Sequence, residues 1–245
     1  MSAEKERIAK IIARAGICSR RDAEHLIAEG RVKVNGQVLE TPAFLASVYD
    51  DIRVDGRSIP RPEGTRLFLY YKPAGLVTTA HDPQGRPTVF ENLPPDMPRV
   101  ISVGRLDLNT EGLLLLTNDG ELSRYLELPS TGWVRTYRVR AYGKPTADDL
   151  QALAEGIVYE GVRYGPIEVQ VDRGRGDNTW MTMKLTEGKN REIRNVTRAI
   201  GMQVNRLIRI SYGPFALDDM RAGEVLEVKT SLVRKQFADF FKDRV

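Results

Sequence analysis

Apolar residues in the first sixty positions recur at two different spacings. Ile8, Ile11, Ile12 and Ala15 follow a helical period that Gly16 ends, and Ser19 three positions before Asp22 is a capping-box signature opening a second helix. Ala23, Leu26 and Ile27 form the buried stripe of that second helix, which Gly30 closes. The stretch RVKVNGQVLE then alternates apolar and polar residues around Asn35-Gly36, a strong β-hairpin signal. The order helix, helix, hairpin predicts a compact first unit over residues 4–60.

The segment IPRPEGTR has two prolines, one glycine and no apolar period, which places a linker at 61–66 and a second unit at 67–245. In that unit LFLYYKPAGLVTTA predicts two strands around a turn at Lys72-Pro73 and Gly75, and DPQGRPTVFENLPPDMP predicts a turn-rich surface crossing. RVISV reads as a strand and ELSRYLEL as a short helix. WVRTYRVRAY alternates, with Trp133, Tyr137, Val139 and Ala141 on one face and Thr136, Arg138 and Arg140 on the other. TADDLQALAEG predicts a capped helix, WMTMKLT a strand, and REIRNVTRAIG a helix ended by Gly201. Many short strands among few helices predict an α+β fold: a small α/β unit, then a larger domain with a mixed, largely antiparallel sheet and flanking helices.

Composition narrows the class. A chain of 245 residues, 41% hydrophobic and 29% charged, is an ordinary globular protein with room for two cores. Apolar runs such as Leu113 to Leu116 are far too short to span a membrane, and the charged N-terminus lacks an apolar signal core, which predicts a cytoplasmic protein with no membrane partner. Cys18 is the one cysteine, and His25 and His81 are the two histidines, so an internal disulfide, a metal site and a Cys/His catalytic set are not expected. Neither a phosphate-binding loop nor a dinucleotide fingerprint is present, so no cofactor is expected.

The distribution of charge says more than its total of +4. Lys5, Arg7, Lys10, Arg14, Arg20, Arg21, Arg31 and Lys33 crowd the first unit, while residues 40–55 are mostly acidic. Arg20 and Arg21 fall in the first turn of a helix, where the macrodipole disfavours a cation by about 0.3–1 kcal/mol. An external anion relieves that penalty, and Lys10, Arg14, Arg20, Arg21, Arg31 and Lys33 are therefore candidate RNA contacts, against the plainer reading of a solvated face. Between Lys184 and Arg209 seven basic residues accompany two acidic ones. At about 100° per residue, Arg191, Arg194 and Arg198 share an arc of roughly 60°, with Ile193, Val196 and Ile200 opposite. Lys189, Arg191 and Arg198 join the candidate RNA contacts. Tyr70, Tyr71, Tyr137 and Tyr142 are available to stack on an unpaired base, although aromatics on alternating strands usually belong to a core.

One acid stands out. Asp107, in VGRLDLNTEGLLLL, is set between leucines just ahead of a leucine run, where burial is costly for an unpaired carboxylate. A calcium loop is excluded because its twelfth position, which should be glutamate, is Asn118. A turn cap formed with Asn109 and Thr110 remains the plain alternative. With no serine, cysteine or histidine in a catalytic setting, a carboxylate is the candidate reactive group of any enzyme encoded here.

YYKPAG at 70–75, DPQGRPTVF at 82–90, GRLDLNTEGLLLLTNDGEL at 104–122, RTYRV at 135–139 and EGKNREIR at 187–194 occur in an order and spacing that closely resemble the RsuA/RluB family of rRNA pseudouridine synthases, nearest to RluB. ARAGICSRRDAEHLIAEGRVKVNG resembles the S4-type RNA-binding domain that precedes the catalytic domain in that family. The resemblance implies that Asp107 is the essential aspartate, attacking C1′ of the target ribose or taking its C2′ proton. It implies that Arg105 fills the gap left by a flipped base, that Tyr137 packs on the uracil, and that Arg194 pairs with the aspartate. The implied partner is ribosomal RNA, 23S in particular, free or in an assembly intermediate, bound by a monomer without metal or cofactor.

The sequence departs from the family at Asn195, where relatives often carry a basic residue, and in GPFALDDMRAGEVLEV. No role is assigned to the basic tail LVRKQFADFFKDRV. Two other readings compete: a non-catalytic RNA-binding ribosome-assembly or translation factor, and a synthetase fragment bearing an S4-type module, which lacks any nucleotide-binding signature.

Overall fold

The computed structural model describes residues 5–172 and 176–242; residue 4 of the predicted first unit and residues 243–245 of the tail lie outside the described residues. The chain forms two compact units. One comprises the residues up to Arg66 with Asp96–Ile101 and Thr117–Gly120, and the other Leu67–Pro95, Ser102–Leu116 and the chain from Glu121 onward.

In the first unit α1 (Ile8–Arg14) buries Ile8, Ala9, Ile11 and Ile12, and α2 (Arg20–Ala28) buries Ala23 and Ile27. The capping box at α2 is reciprocal: Asp22 N–H donates to Ser19 Oγ at 3.1 Å, and Ser19 N–H donates to Asp22 Oδ2 at 3.2 Å. Strands β1 (Val32–Val34) and β2 (Gln37–Val38) flank Asn35 and Gly36, whose φ values of 50° and 85° give the left-handed turn that matches strand twist. A second hairpin, β3 (Ile52–Val54) and β4 (Arg57–Ser58), is built the same way around Asp55-Gly56, and the four strands form one antiparallel sheet in the order β2-β1-β3-β4. Its apolar side packs on both helices through Val32, Val34, Ile52 and Val54.

The second unit is organised by a mixed sheet. Along the chain come β5 (Leu67–Lys72), β6 (Thr110–Thr117), α3 (Gly120–Glu127), β7 (Arg135–Tyr142), α4 (Ala147–Glu155), β8 (Glu168–Val171), β9 (Asn178–Leu185), α5 (Glu192–Ala199), β10 (Gln203–Tyr212), β11 (Val225–Val228), α6 (Thr230–Gln236) and α7 (Ala238–Phe241). The main path is β8-β9-β7-β10-β6-β5-β11. Pairs β8/β9, β9/β7, β7/β10 and β5/β11 are antiparallel, and β10/β6 is parallel. Two apolar clusters enclose the sheet: Leu113, Leu115 and Tyr212 pack with Leu122 and Leu126 of α3 and with α6 and α7, and Val139, Ala141, Met181, Met183 and Leu207 pack with α4 and α5.

The parallel crossing needs a glycine. Gly112 sits opposite Arg209 with φ at 104°, and a Cβ there would lie 2.2 Å from the Arg209 carbonyl oxygen.

Four expectations change. LFLYYKPAGLVTTA holds one strand, because after Lys72 the chain turns at Gly75 and Val77 forms only a single bridge to Thr88. Trp133 precedes β7 and packs with Phe237 in the first cluster, away from Val139 and Ala141. The tail has a structural role: Val233, Phe237 and Phe240 recur at helical spacing and are buried in the core. Helix α5 begins one residue late, so Arg191 does not lie on its wheel; it adopts φ 51° and ψ 29° as the N-cap residue.

Candidate active site

Asp107 sits in the loop leading into β6, and backbone and side-chain hydrogen bonds fix that loop from several directions. Val103 N–H donates to Leu115 O at 2.8 Å, and Gly104 N–H donates to the Glu127 carboxylate at 2.9 Å. Thr78 Oγ1 donates to Leu106 O at 2.8 Å and accepts from Leu106 N–H at 3.3 Å. Beyond the acid, Thr110 N–H closes a turn on Asp107 O at 3.0 Å, and Gly75 N–H donates to Leu108 O at 2.8 Å.

Beneath this loop Lys72 is fully buried. Its Nζ donates to Pro73 O at 3.0 Å, Leu108 O at 3.3 Å and Thr110 O at 2.9 Å. Burial pushes its pKa down to about 8, with Asp107 and Glu111 acting in the other direction. An ammonium held by three carbonyls fastens the turn on which the acid stands. Lys72 belongs to the YYKPAG motif, yet no pattern in the sequence marked it as a support for Asp107.

Two guanidinium groups reach the acid. Asp107 Oδ2 is 3.7 Å from Arg194 Nε and 3.7 Å from Arg191 Nη1. Those distances are too long for hydrogen bonds and short enough for strong attraction in a partly dehydrated site. Arg194 is mostly buried, its Nη2 donates to Asn109 O at 3.1 Å, and its Nε has no hydrogen-bond partner. Burial and then the neighbouring Arg191 lower its pKa from the ordinary arginine value, while Asp107 opposes the shift. Arg191 is more exposed, and its left-handed backbone costs a side chain with Cβ about 1 kcal/mol, a strain that aims it at the acid rather than along the helix.

Asp107 opens on a cavity of about 410 Å³. Arg105, Tyr137 and Arg191 line it with Leu185, Ile193 and Leu207, as do Arg135, Arg209 and Tyr212. A space of that size admits one planar base and part of a sugar. Arg135 Nη2 donates to Tyr212 Oη at 2.8 Å, and Tyr212 Oη donates to Leu126 O at 2.7 Å. Both Arg135 and Arg209 are nearly fully buried.

Glu192, also on the wall, is 4% exposed; Oε2 accepts from Lys189 N–H at 2.8 Å and Oε1 has no partner. Burial pushes its pKa up to about 7, opposed by the Lys189 N–H and assisted by the Glu187 carboxylate.

The structure thus brings together Asp107, Arg105, Tyr137, Lys189 and Arg191 on one cavity, with Arg194 against the acid but off the wall. Lys189 is already engaged, donating to Arg163 O at 2.8 Å and Glu187 Oε2 at 2.7 Å. Arg198 is exposed and is not part of the cavity lining. Of the six candidate RNA contacts in the first unit, Lys10 and Arg14 pair with Glu6, and Arg31 pairs with Asp55 and Glu29, which leaves Arg20, Arg21 and Lys33 exposed and outside such pairs among the described residues. Lys72, Arg135, Arg209, Tyr212 and Glu192 are site residues that sequence reasoning passed over. A basic residue on a strand predicted to be half-buried was the one available signal, and it applied to Arg135 alone.

Residues 66–199 match the RNA pseudouridylate synthase family, and residues 6–58 match the S4 domain. An uncharacterized RNA pseudouridine synthase of Rickettsia felis is 48% identical over 94% of this chain and 100% of its own length. Ribosomal large subunit pseudouridine synthase B of Yersinia pestis is 42% identical over 86% of this chain and 69% of its own length. A crystal structure of a pseudouridylate synthase superposes with a TM-score of 0.66 at 27% identity, covering 94% of this chain and 98% of that one.

Proposed function

Because this chain belongs to the RNA pseudouridylate synthase family, enzymes that isomerise uridine in RNA, we propose that its substrate is a uridine of 23S ribosomal RNA and that Asp107 carries the reaction. The observation that carries this reading is the placement of one carboxylate between two guanidinium groups at the edge of a base-sized cavity. Relatives named for the ribosomal large subunit support the choice of RNA, and the S4 match supplies a second RNA-binding unit. On the same reading the enzyme works as a monomer in the cytoplasm.

The chemistry follows from the site. Turning a uridine out of its stack costs a few kcal/mol, offset by stacking on Tyr137, by Arg105 in the vacated space and by contacts between phosphates and basic side chains. The exposed Arg20, Arg21 and Lys33 of the S4 unit supply some of those contacts. Arg194 and Arg191 attract the Asp107 carboxylate more strongly as the base excludes water. The carboxylate then attacks C1′ or removes the C2′ proton, and the C1′–N1 bond breaks. The enclosed uracil turns and bonds to C1′ through C5, which displaces the Asp107 carboxylate from C1′ on the first route or is accompanied by return of the proton to C2′ on the second; the C5 hydrogen leaves as a proton and N1 gains one. No atom is lost or added, so neither metal nor cofactor is called for.

Mapping pseudouridines in rRNA from cells with and without this protein tests the assignment. One 23S position that loses its pseudouridine, and regains it on re-expression, is the expected result. An unchanged 23S map overturns the substrate assignment.

A further inference from the structure

Arg209 is the most buried of the cations lining the cavity, 3% exposed, and among the described residues it forms no ion pair. Its Nε donates to Leu113 O at 2.7 Å, but Nη2 is buried with no hydrogen-bond partner. The Tyr212 ring, with its centroid 5.2 Å from the guanidinium carbon, offers only partial compensation. Arg135 beside it is already engaged through both terminal nitrogens, donating to Trp133 O, Thr186 O and Tyr212 Oη. A buried cation with an idle donor is costly unless something outside the chain completes it.

The register of the sheet says what that is. Arg209 on β10 stands directly opposite Tyr137 on β7, and both line the cavity. Side chains so paired on one face of a sheet lie within about 5 Å at Cβ, so a ring packed on Tyr137 presents its edge to Arg209. On the other side of Arg209 the partner residue is Gly112, which has no side chain to fill the space.

We propose that Arg209 Nη2 donates to a carbonyl oxygen of the flipped uracil and that its charge stabilises the base as it detaches. This rests on the reading that Tyr137 holds the uracil. When the C1′–N1 bond breaks, its electron pair stays with the base, giving a uracil anion whose charge is shared by N1, O2 and O4. Carbon C1′ is captured by Asp107, or is relieved by loss of the C2′ proton to it. As C5 bonds to C1′ the anion's electron pair is consumed, the Asp107–C1′ bond breaks or the C2′ proton is returned, C5 gives up its proton and N1 takes one. A fixed cation beside O2 or O4 is most useful during the anionic interval, which makes it a stabiliser of developing charge rather than a simple binding contact.

The test compares single-turnover breakage of the N1–C1′ bond in two transcripts of the target segment, one with uridine and one with 5-fluorouridine at the reacting position. Fluorine withdraws electron density from the ring, so the departing base depends less on an external cation. Removing one such donor costs about 10²–10³ in rate, so Arg209→Met should slow the uridine transcript by about 100-fold. The same variant should slow the 5-fluorouridine transcript by less than about tenfold and leave RNA affinity within about threefold. Equal slowing of both transcripts, or no slowing, overturns the proposal. Should Arg209→Met not fold, Arg209→Lys carries the same comparison, because it keeps the charge while losing the planar fork; unequal slowing supports the proposal and equal slowing rejects it. Wild-type conversion of the uridine transcript, and its loss in Asp107→Asn, report on the function itself and are independent of how Arg209 behaves.

Discussion

Arg194 holds Asp107 and the turn that carries it with one side chain: Nε stands 3.7 Å from Asp107 Oδ2 while Nη2 donates to Asn109 O at 3.1 Å. The guanidinium therefore faces the acid and braces the turn that positions it. At that separation the attraction is about 4 kcal/mol for an effective dielectric near 20, similar to the penalty for dehydrating the carboxylate. Arg194→Met should lower the single-turnover rate at least about 100-fold, while Arg191→Ala, at a more exposed and better screened pair, should cost about tenfold. Equal losses in rapid-quench measurements would show that the two arginines are not ranked by burial.

Lys72 acts through the loop rather than on the substrate. Removing its Nζ leaves the carbonyls of Pro73, Leu108 and Thr110 without that donor, so the turn under Asp107 loosens. Lys72→Met should reduce kcat by about tenfold or more with little change in KM for RNA, as a positional error near a reacting centre does. A rise in KM with kcat preserved would place Lys72 in RNA binding instead.

Glu192 gives stability a pH dependence of known sign. Its folded pKa of about 7 lies above the ordinary 4.5, so its contribution to stability is complete below 4.5 and is lost as pH rises through 7. Glu192→Gln keeps the neutral form at every pH. At pH 8 the variant should be more stable by about 2 kcal/mol, a Tm higher by about 4–8 °C, and at pH 4.5 the two proteins should melt together. Calorimetry at the two pH values decides it, and a stability difference independent of pH would contradict the assignment.

The exposed arginines of α2 should contribute to RNA affinity through phosphate neutralisation. Arg20→Ala with Arg21→Ala should weaken binding and reduce the slope of log affinity against log salt by about 1.5, as expected for two lost contacts to single-stranded or irregular RNA. Arg31→Ala, which removes a side chain already held by Asp55 and Glu29, should change that slope far less. Filter binding across a salt series measures both, and equal slopes in all three proteins would remove the S4 helix from the RNA interface.

What could be read in the sequence follows from how local each signal is. The Ser19–Asp22 capping box, the Asn35-Gly36 turn and the apolar stripes of α1 and α2 are written within a few neighbouring residues, and the first unit could be read from them. The Asp55-Gly56 hairpin carried the same signal and was overlooked. Strand β6 was harder, because Leu113 to Leu116 are all buried and a run without alternation has no period to read. The helices of the tail were hidden by its charges, although Val233, Phe237 and Phe240 keep a helical spacing. At the site, Asp107 stood out by its apolar setting, and the resemblance supplied roles for Arg105, Tyr137 and Arg194. Lys72 and Arg209 gave no local sign, because their significance depends on carbonyls and a ring brought from far along the chain, and Glu192 gave none because its shift comes first from burial.

The most direct measurement is pseudouridine formation by Asp107→Asn in rRNA from cells lacking the protein, read alongside RNA affinity. The change keeps the side chain's size and removes its charge and basicity. No detectable pseudouridine is expected after incubation long enough for complete wild-type conversion, with RNA affinity within about threefold of wild type. Conversion by Asp107→Asn at anything near the wild-type rate would show that the acid between Arg191 and Arg194 does not carry the reaction.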